Sequence, residues 1–119
     1  MYFRTWIRIK RMKWHVVFLE QAEHDLIELK NYVLHGFSQK VWQECYSNLK
    51  KSIKKIQLFP ESGNIPPELV ALNFTQYRQV ISGMNRIVYE TQRNVIYIHI
   101  ICDTRKDLNA LLFRRLMSA

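Results

Sequence analysis

Tyr77-Arg78-Gln79-Val80-Ile81-Ser82-Gly83-Met84-Asn85-Arg86-Ile87-Val88-Tyr89-Glu90-Thr91 decides the fold, together with the adjoining Gln92-Arg93-Asn94 and Val95-Ile96-Tyr97-Ile98-His99-Ile100-Ile101-Cys102. Three bursts rich in β-branched and aromatic residues are separated by two short polar turns, which predicts strands over 77–82, 86–91 and 95–102. Strands joined this tightly must be antiparallel neighbours, so the stretch reads as a β-meander. Each strand carries or borders one arginine: Arg78, Arg86 and Arg105. Arginine is costly to bury unpaired, and its planar guanidinium grips phosphates and carboxylates bidentately. Three on one sheet face would make an anion site. The same pattern also fits three solvated sheet arginines, because scattered surface charge is ordinary. His99, read as alternating with Tyr97 and Ile101 on one strand face, is a lesser candidate for proton transfer.

Upstream of the meander the period changes. Trp14 to Leu19 alternates like a strand. Ala22, Leu26, Leu29 and Val33 then recur at helical spacing, with acids near the start and Gly36 as the stop. Ser38 suits a second N-cap, and Trp42, Cys45, Leu49, Ser52, Ile53 and Ile56 form the inner stripe of a second helix ended by Pro60. Its Lys50, Lys51, Lys54 and Lys55 read as a solvated edge, with nucleic-acid contact the less favoured alternative. The very short link makes the two helices an antiparallel αα-hairpin. Residues 59–76 form a long connection of the kind that is usually functional or mobile, with a helical turn predicted over 68–72 after Pro67. Asp103-Thr104 with Asp107 suggests a capping box for a last helix on Leu108, Leu111, Leu112 and Leu116. That would set Arg105 at the positive end of the helix, an unfavourable place for a cation.

The bulk properties exclude several classes. At 119 residues and 48% hydrophobic, the chain has the size of one domain with a core. No segment approaches the roughly 20 apolar residues of a membrane span, and no signal peptide is evident. Cys45 and Cys102 read as reduced thiols of a cytoplasmic protein. The formal charge of +8 is uneven: residues 1–13 hold five basic residues and no acid, and 14–119 hold 13 basic against 10 acidic. Residues 1–13 are expected to be a basic extension, with Met12 the natural start and residues 1–11 an upstream addition, the alternative being a real N-terminal arm that pairs as an edge strand. Residues 14–119 are expected to be a single domain. From Tyr77 onward seven basic residues stand against three acidic ones, so the basic character belongs to the two ends, a layout that suits a polyanionic partner. Phosphate loops, dinucleotide fingerprints and nucleophile elbows are absent from the sequence, and the four histidines lack metal-ligand spacing. No cofactor or metal is expected.

Strand, two helices, loop, three-stranded meander and terminal helix, in that order, resemble the RelE/ParE superfamily of bacterial toxins. The likeness spans about residues 14–116. It is carried by Ala22-Glu23-His24-Asp25-Leu26, Phe59-Pro60-Glu61-Ser62-Gly63, Tyr77-Arg78, Arg86-Ile87-Val88-Tyr89 and Asp103-Thr104-Arg105-Lys106-Asp107-Leu108. It implies an α+β fold and two readings of function. The RelE branch cuts ribosome-bound messenger RNA. There Arg86 would be the phosphate-binding arginine, Arg105 the arginine after the last strand, and Arg78 would stand where a lysine is common. That branch's second basic position is Val80 here, and its tyrosine on the last helix is Leu111; neither can move a proton. His99 or Lys106 would have to compensate. The ParE branch, which the first helix and the Phe-Pro-x-x-Gly turn resemble more, inhibits DNA gyrase by binding, with no catalytic set; the same arginines are then candidates for a toxic surface. Either branch implies a cognate, usually acidic antitoxin as partner. No sequence-specific DNA binding by this chain is expected.

Overall fold

The stretch from Tyr77 forms the meander its pattern requires, and the rest of the chain is arranged around it. The computed structural model describes residues 14–117; the basic extension, the start at Met12 and the alternative edge-strand arm lie outside them. In chain order the elements are β1 (His15–Phe18), α1 (Glu20–Gly36), α2 (Gln39–Leu58), α3 (Pro67–Val70), β2 (Tyr77–Ser82), β3 (Asn85–Gln92), β4 (Val95–Asp103) and α4 (Leu108–Met117). The strands make one sheet in the order β1-β4-β3-β2. β1 lies parallel to β4, from His15 opposite Val95 to Phe18 opposite Ile98, and the other pairs are antiparallel.

Local chemistry explains the boundaries. The Ser38 hydroxyl accepts a hydrogen bond from the Val41 amide at 3.1 Å, capping α2. Pro66 and Pro67 open α3, where a missing N–H costs nothing. The β2–β3 hairpin turns through two residues, the first of which, Gly83, has a φ of 61°. The β3–β4 hairpin needs positive φ at both Arg93 and Asn94, and asparagine tolerates that conformation well.

The sheet is buried on both faces. Ile87, Tyr89, Ile96, Ile98 and Ile101 face the αα-hairpin, meeting Leu26, Leu49, Ile53 and Ile56. Val88, Ile100 and Tyr77 face the other way, onto Leu69, Leu108 and Leu112 of α3 and α4. This two-sided burial is why β4 reads as a nearly continuous apolar run.

The register between β3 and β4 shifts between Val88 and Tyr89, so Val88 faces Ile100 and Tyr89 faces Ile98. His99 is the extra residue of this bulge. The alternation expected along the strand therefore breaks: His99 lies with Glu90, whereas Ile101 points into the core under the αα-hairpin.

The long connection is not a loose loop. Leu69 is fully buried, and Asn64 pairs with Gln79 as a short bridge on the side of β2 away from β3. Gly63 carries the tightest contact: a Cβ there would come within 2.6 Å of both the Gln79 carbonyl oxygen and the Tyr89 hydroxyl. That hydroxyl accepts from the Gly63 amide at 3.1 Å and donates to the Pro60 carbonyl at 2.7 Å. The Phe-Pro-x-x-Gly turn is thus pinned to the middle of β3.

Candidate functional site

β4 is longer than β1, and the site grows from that mismatch. After Phe18 the chain turns into α1, and among the described residues the second half of β4 has no neighbouring strand on that side. Two side chains complete the ladder instead. Asp25 on α1 accepts from the Ile101 amide at 2.9 Å, and Arg115 on α4 donates to the His99 carbonyl at 2.9 Å. The two side chains then join each other through paired hydrogen bonds of 2.5 and 2.9 Å. Burial pushes the Asp25 carboxyl up; the guanidinium and the amide pull it down without cancelling that push.

Above this clamp lies an open groove of about 1100 Å³ between α1 and α4. Tyr32, Leu29 and Glu28 line one wall, Leu111 and Arg114 the other, with Arg105 and Lys106 at the β4–α4 turn. The Arg105 guanidinium is well exposed, yet it holds both Asp103 oxygens at 2.9 Å. This pairing, plus the Arg105 amide at 2.8 Å, keeps the Asp103 carboxyl well below the usual carboxylate range. The expected capping box is therefore displaced. Asp103 is engaged with Arg105, α4 starts later, and Asp107 caps it through the Ala110 amide at 3.1 Å. Arg105 sits in a turn, not on the first turn of a helix.

Arg86 is on the opposite side of the turn and is buried. Its guanidinium donates to Glu68 at 3.1 Å, to Gln79 at 3.1 Å and to the Lys106 carbonyl at 3.1 Å, with Thr104 at 3.5 Å. It ties α3, β2 and the β4–α4 turn together. The Cys102 thiol, paired across from Arg86, is raised by burial, and the guanidinium opposes that rise.

The three arginines do not form one patch. Arg78 is registered opposite Tyr89, on the αα-hairpin face, whereas Arg86 is opposite Ile81 and shares the other face with Gln79. Arg78 anchors the 60–63 turn by donating to the Gly63 carbonyl at 2.7 Å and to that of Glu61 at 3.4 Å. Arg86 and the Arg105 turn adjoin; Arg78 lies across the sheet from both. His99 is half-buried, 2.9 Å from Glu90 and edge-on to the Tyr77 ring, and burial lowers its pKa despite the carboxylate. Lys106 is exposed at the mouth of the groove.

Asp25 and Arg115 form the floor of the groove, and the meander pattern does not reveal them. Their signal lies on the helices: Asp25 falls three residues after Ala22 and four before Leu29, and Arg115 three after Leu112, so each is a charge on an apolar stripe. Both cysteines are unbridged and half-buried. Among the described residues, no group of three His, Cys, Asp or Glu side chains is placed to hold a metal, and no helix is long and apolar enough to cross a membrane.

A sheet covered by an αα-hairpin on one face and by a terminal helix on the other is the α+β architecture of RelE/ParE-like toxins. The model of the family described as "ParE toxin of type II toxin-antitoxin system, parDE" matches residues 16–108, and the chain belongs to that family. A solved structure described as "Chromosomal ParDE TA system from P. aeruginosa" has the same fold; its matching chain is 13% identical, with a TM-score of 0.63 over 76% of this chain and 96% of that one. No curated protein matches the sequence.

Proposed function

We propose that this chain is the toxin of a type II toxin–antitoxin pair and that it acts by binding DNA gyrase, not by cutting RNA. The observation that carries the non-nuclease half is the state of Arg86. A phosphate-binding arginine must present its fork to the substrate. Here the guanidinium is buried and both terminal nitrogens are occupied, by Glu68, Gln79 and the Lys106 carbonyl; only the buried Nε is left without a partner. Val80 packs toward the αα-hairpin core and Leu111 against the core under α4, so neither position supplies a proton donor. The gyrase half is supported by membership of the ParE family and not by a feature of the surface. An antitoxin partner is supported by the same membership.

Purified protein is expected to block negative supercoiling by gyrase in vitro. No effect at large molar excess, together with new cuts in ribosome-bound message in a translation extract, overturns the proposal in favour of the RelE reading. On that reading Arg86→Ala would slow cutting by roughly 10²–10³-fold.

A further inference from the structure

We infer that the solvent face of α2 is a docking surface for duplex nucleic acid, read through its phosphate backbone and not its sequence. Charge segregation carries the inference. α2 holds five lysines (Lys40, Lys50, Lys51, Lys54 and Lys55) against one acid, Glu44, a balance of +4. The rest of residues 14–119 holds 8 basic against 9 acidic residues, a balance of −1. Residues 77–119 also carry a balance of +4, but their charge is less concentrated: three of their six arginines, Arg86, Arg105 and Arg115, pair with Glu68, Asp103 and Asp25, and Arg78 lies across the sheet from Arg105. Among the described residues, Lys40, Lys51, Lys54 and Lys55 take part in no ion pair.

The lysines form a ridge. All five are exposed, and Lys50/Lys54 and Lys51/Lys55 stack one turn apart on adjoining rows, with Lys40 on the same side. From Lys40 to Lys55 the ridge runs roughly 22 Å, a length over which a duplex presents about a dozen phosphate charges.

Its chemistry selects the partner. Lysine is a flexible point charge that suits phosphates and reads base edges poorly without a fork. Single strands are held by aromatic stacking platforms. The two aromatics within α2 are engaged with each other: Tyr46 stacks on Trp42 at 5.3 Å, and the Lys50 ammonium lies 4.9 Å above the Tyr46 ring; the exposed Phe59 follows the helix at one end and offers no run of stacking platforms. A peptide partner needs apolar anchors at the centre of its site. The exposed large apolar residues of α2, Val41 and Leu58, stand at its two ends. This surface lies on the face of the sheet away from α4 and does not depend on gyrase being the target.

The test is fluorescence anisotropy of the full chain with a short labelled duplex of arbitrary sequence, titrated between about 50 and 200 mM salt. Binding on the order of 10 µM is expected, falling steeply with salt. The variant K51Q/K54Q/K55Q should reduce the slope of log K against log salt by about 2.7, and Glu44→Lys should increase it by about 0.9. Both alter solvent-facing positions only, and far-UV circular dichroism checks that folding is intact. An unchanged slope in the triple variant, with residues 1–13 intact, overturns the inference by placing the binding elsewhere. Tighter binding to a single strand than to the duplex overturns it too. So does lysine-dependent binding to phosphatidylserine vesicles or polyglutamate with none to DNA.

Discussion

The Arg115 guanidinium and the Asp25 carboxylate meet at 2.5 and 2.9 Å, and each also satisfies a backbone group in the half of β4 that β1 does not reach. One side chain comes from the second turn of α1 and the other from near the end of α4. Their pairing fixes the floor of the groove.

Removing one partner leaves the other charged and largely buried. Arg115→Leu or Asp25→Ala is therefore expected to cost about 3 kcal/mol, because the orphaned charge and a backbone group both lose their partners. Urea midpoints at neutral pH measure it. The double variant should cost clearly less than the sum of the singles; strict additivity would show that the two do not act together.

Gly63→Ala is expected to destabilise by about 2 kcal/mol or more, since the new Cβ would meet a main-chain carbonyl that cannot turn away. Adding Tyr89→Phe removes the clash with the hydroxyl but not the one with Gln79. It also removes the hydrogen bond to Pro60. The pair should therefore be no more stable than Gly63→Ala alone by thermal unfolding.

Arg86→Lys is expected to cost about 2–3 kcal/mol, as an ammonium cannot reproduce a fork that reaches three elements at once. If Arg86 were instead a solvent-facing phosphate ligand, this change would leave the unfolding midpoint nearly untouched.

His99 titrates below its ordinary value of 6.5 because burial disfavours the imidazolium. With a folded pKa below the unfolded one, the unfolded chain binds more protons between the two values. The contribution of His99 to stability is then present above about pH 6.5 and is lost as pH falls toward the folded value. Urea midpoints of the wild type should drop between pH 7.5 and 5.5, and His99→Gln should flatten that part of the drop.

Much of the fold is legible because its signals are local. The Ser38 cap, the proline at the start of α3 and the two hairpin turns each act within a few residues. So does the apolar spacing of Ala22, Leu26 and Val33. What is hidden is decided across the molecule. The β-bulge at His99 comes from the fit of β3 to β4, and no alternation pattern contains it. Asp103 could cap a helix or hold Arg105, and the turn chose the second. The arginines of the meander look like one set along the chain, but the pleat sends Arg78 and Arg86 to opposite faces. The charge of the C-terminal third looks available until its acidic partners, Asp25 and Glu68, arrive from elsewhere.

The parallel pairing of β1 with β4 has a consequence in time. His15 cannot find Val95, nor Asp25 its amide on Ile101, until about 75–80 further residues have been synthesised. The αα-hairpin emerges early with its apolar stripe uncovered and must wait for the strand that shields it. Closing so wide a loop costs entropy before any contact rewards it, which places the barrier late and makes assembly slow. Newly made chains thus pass through an interval in which sticky surface is exposed, and in that interval they are prone to aggregate.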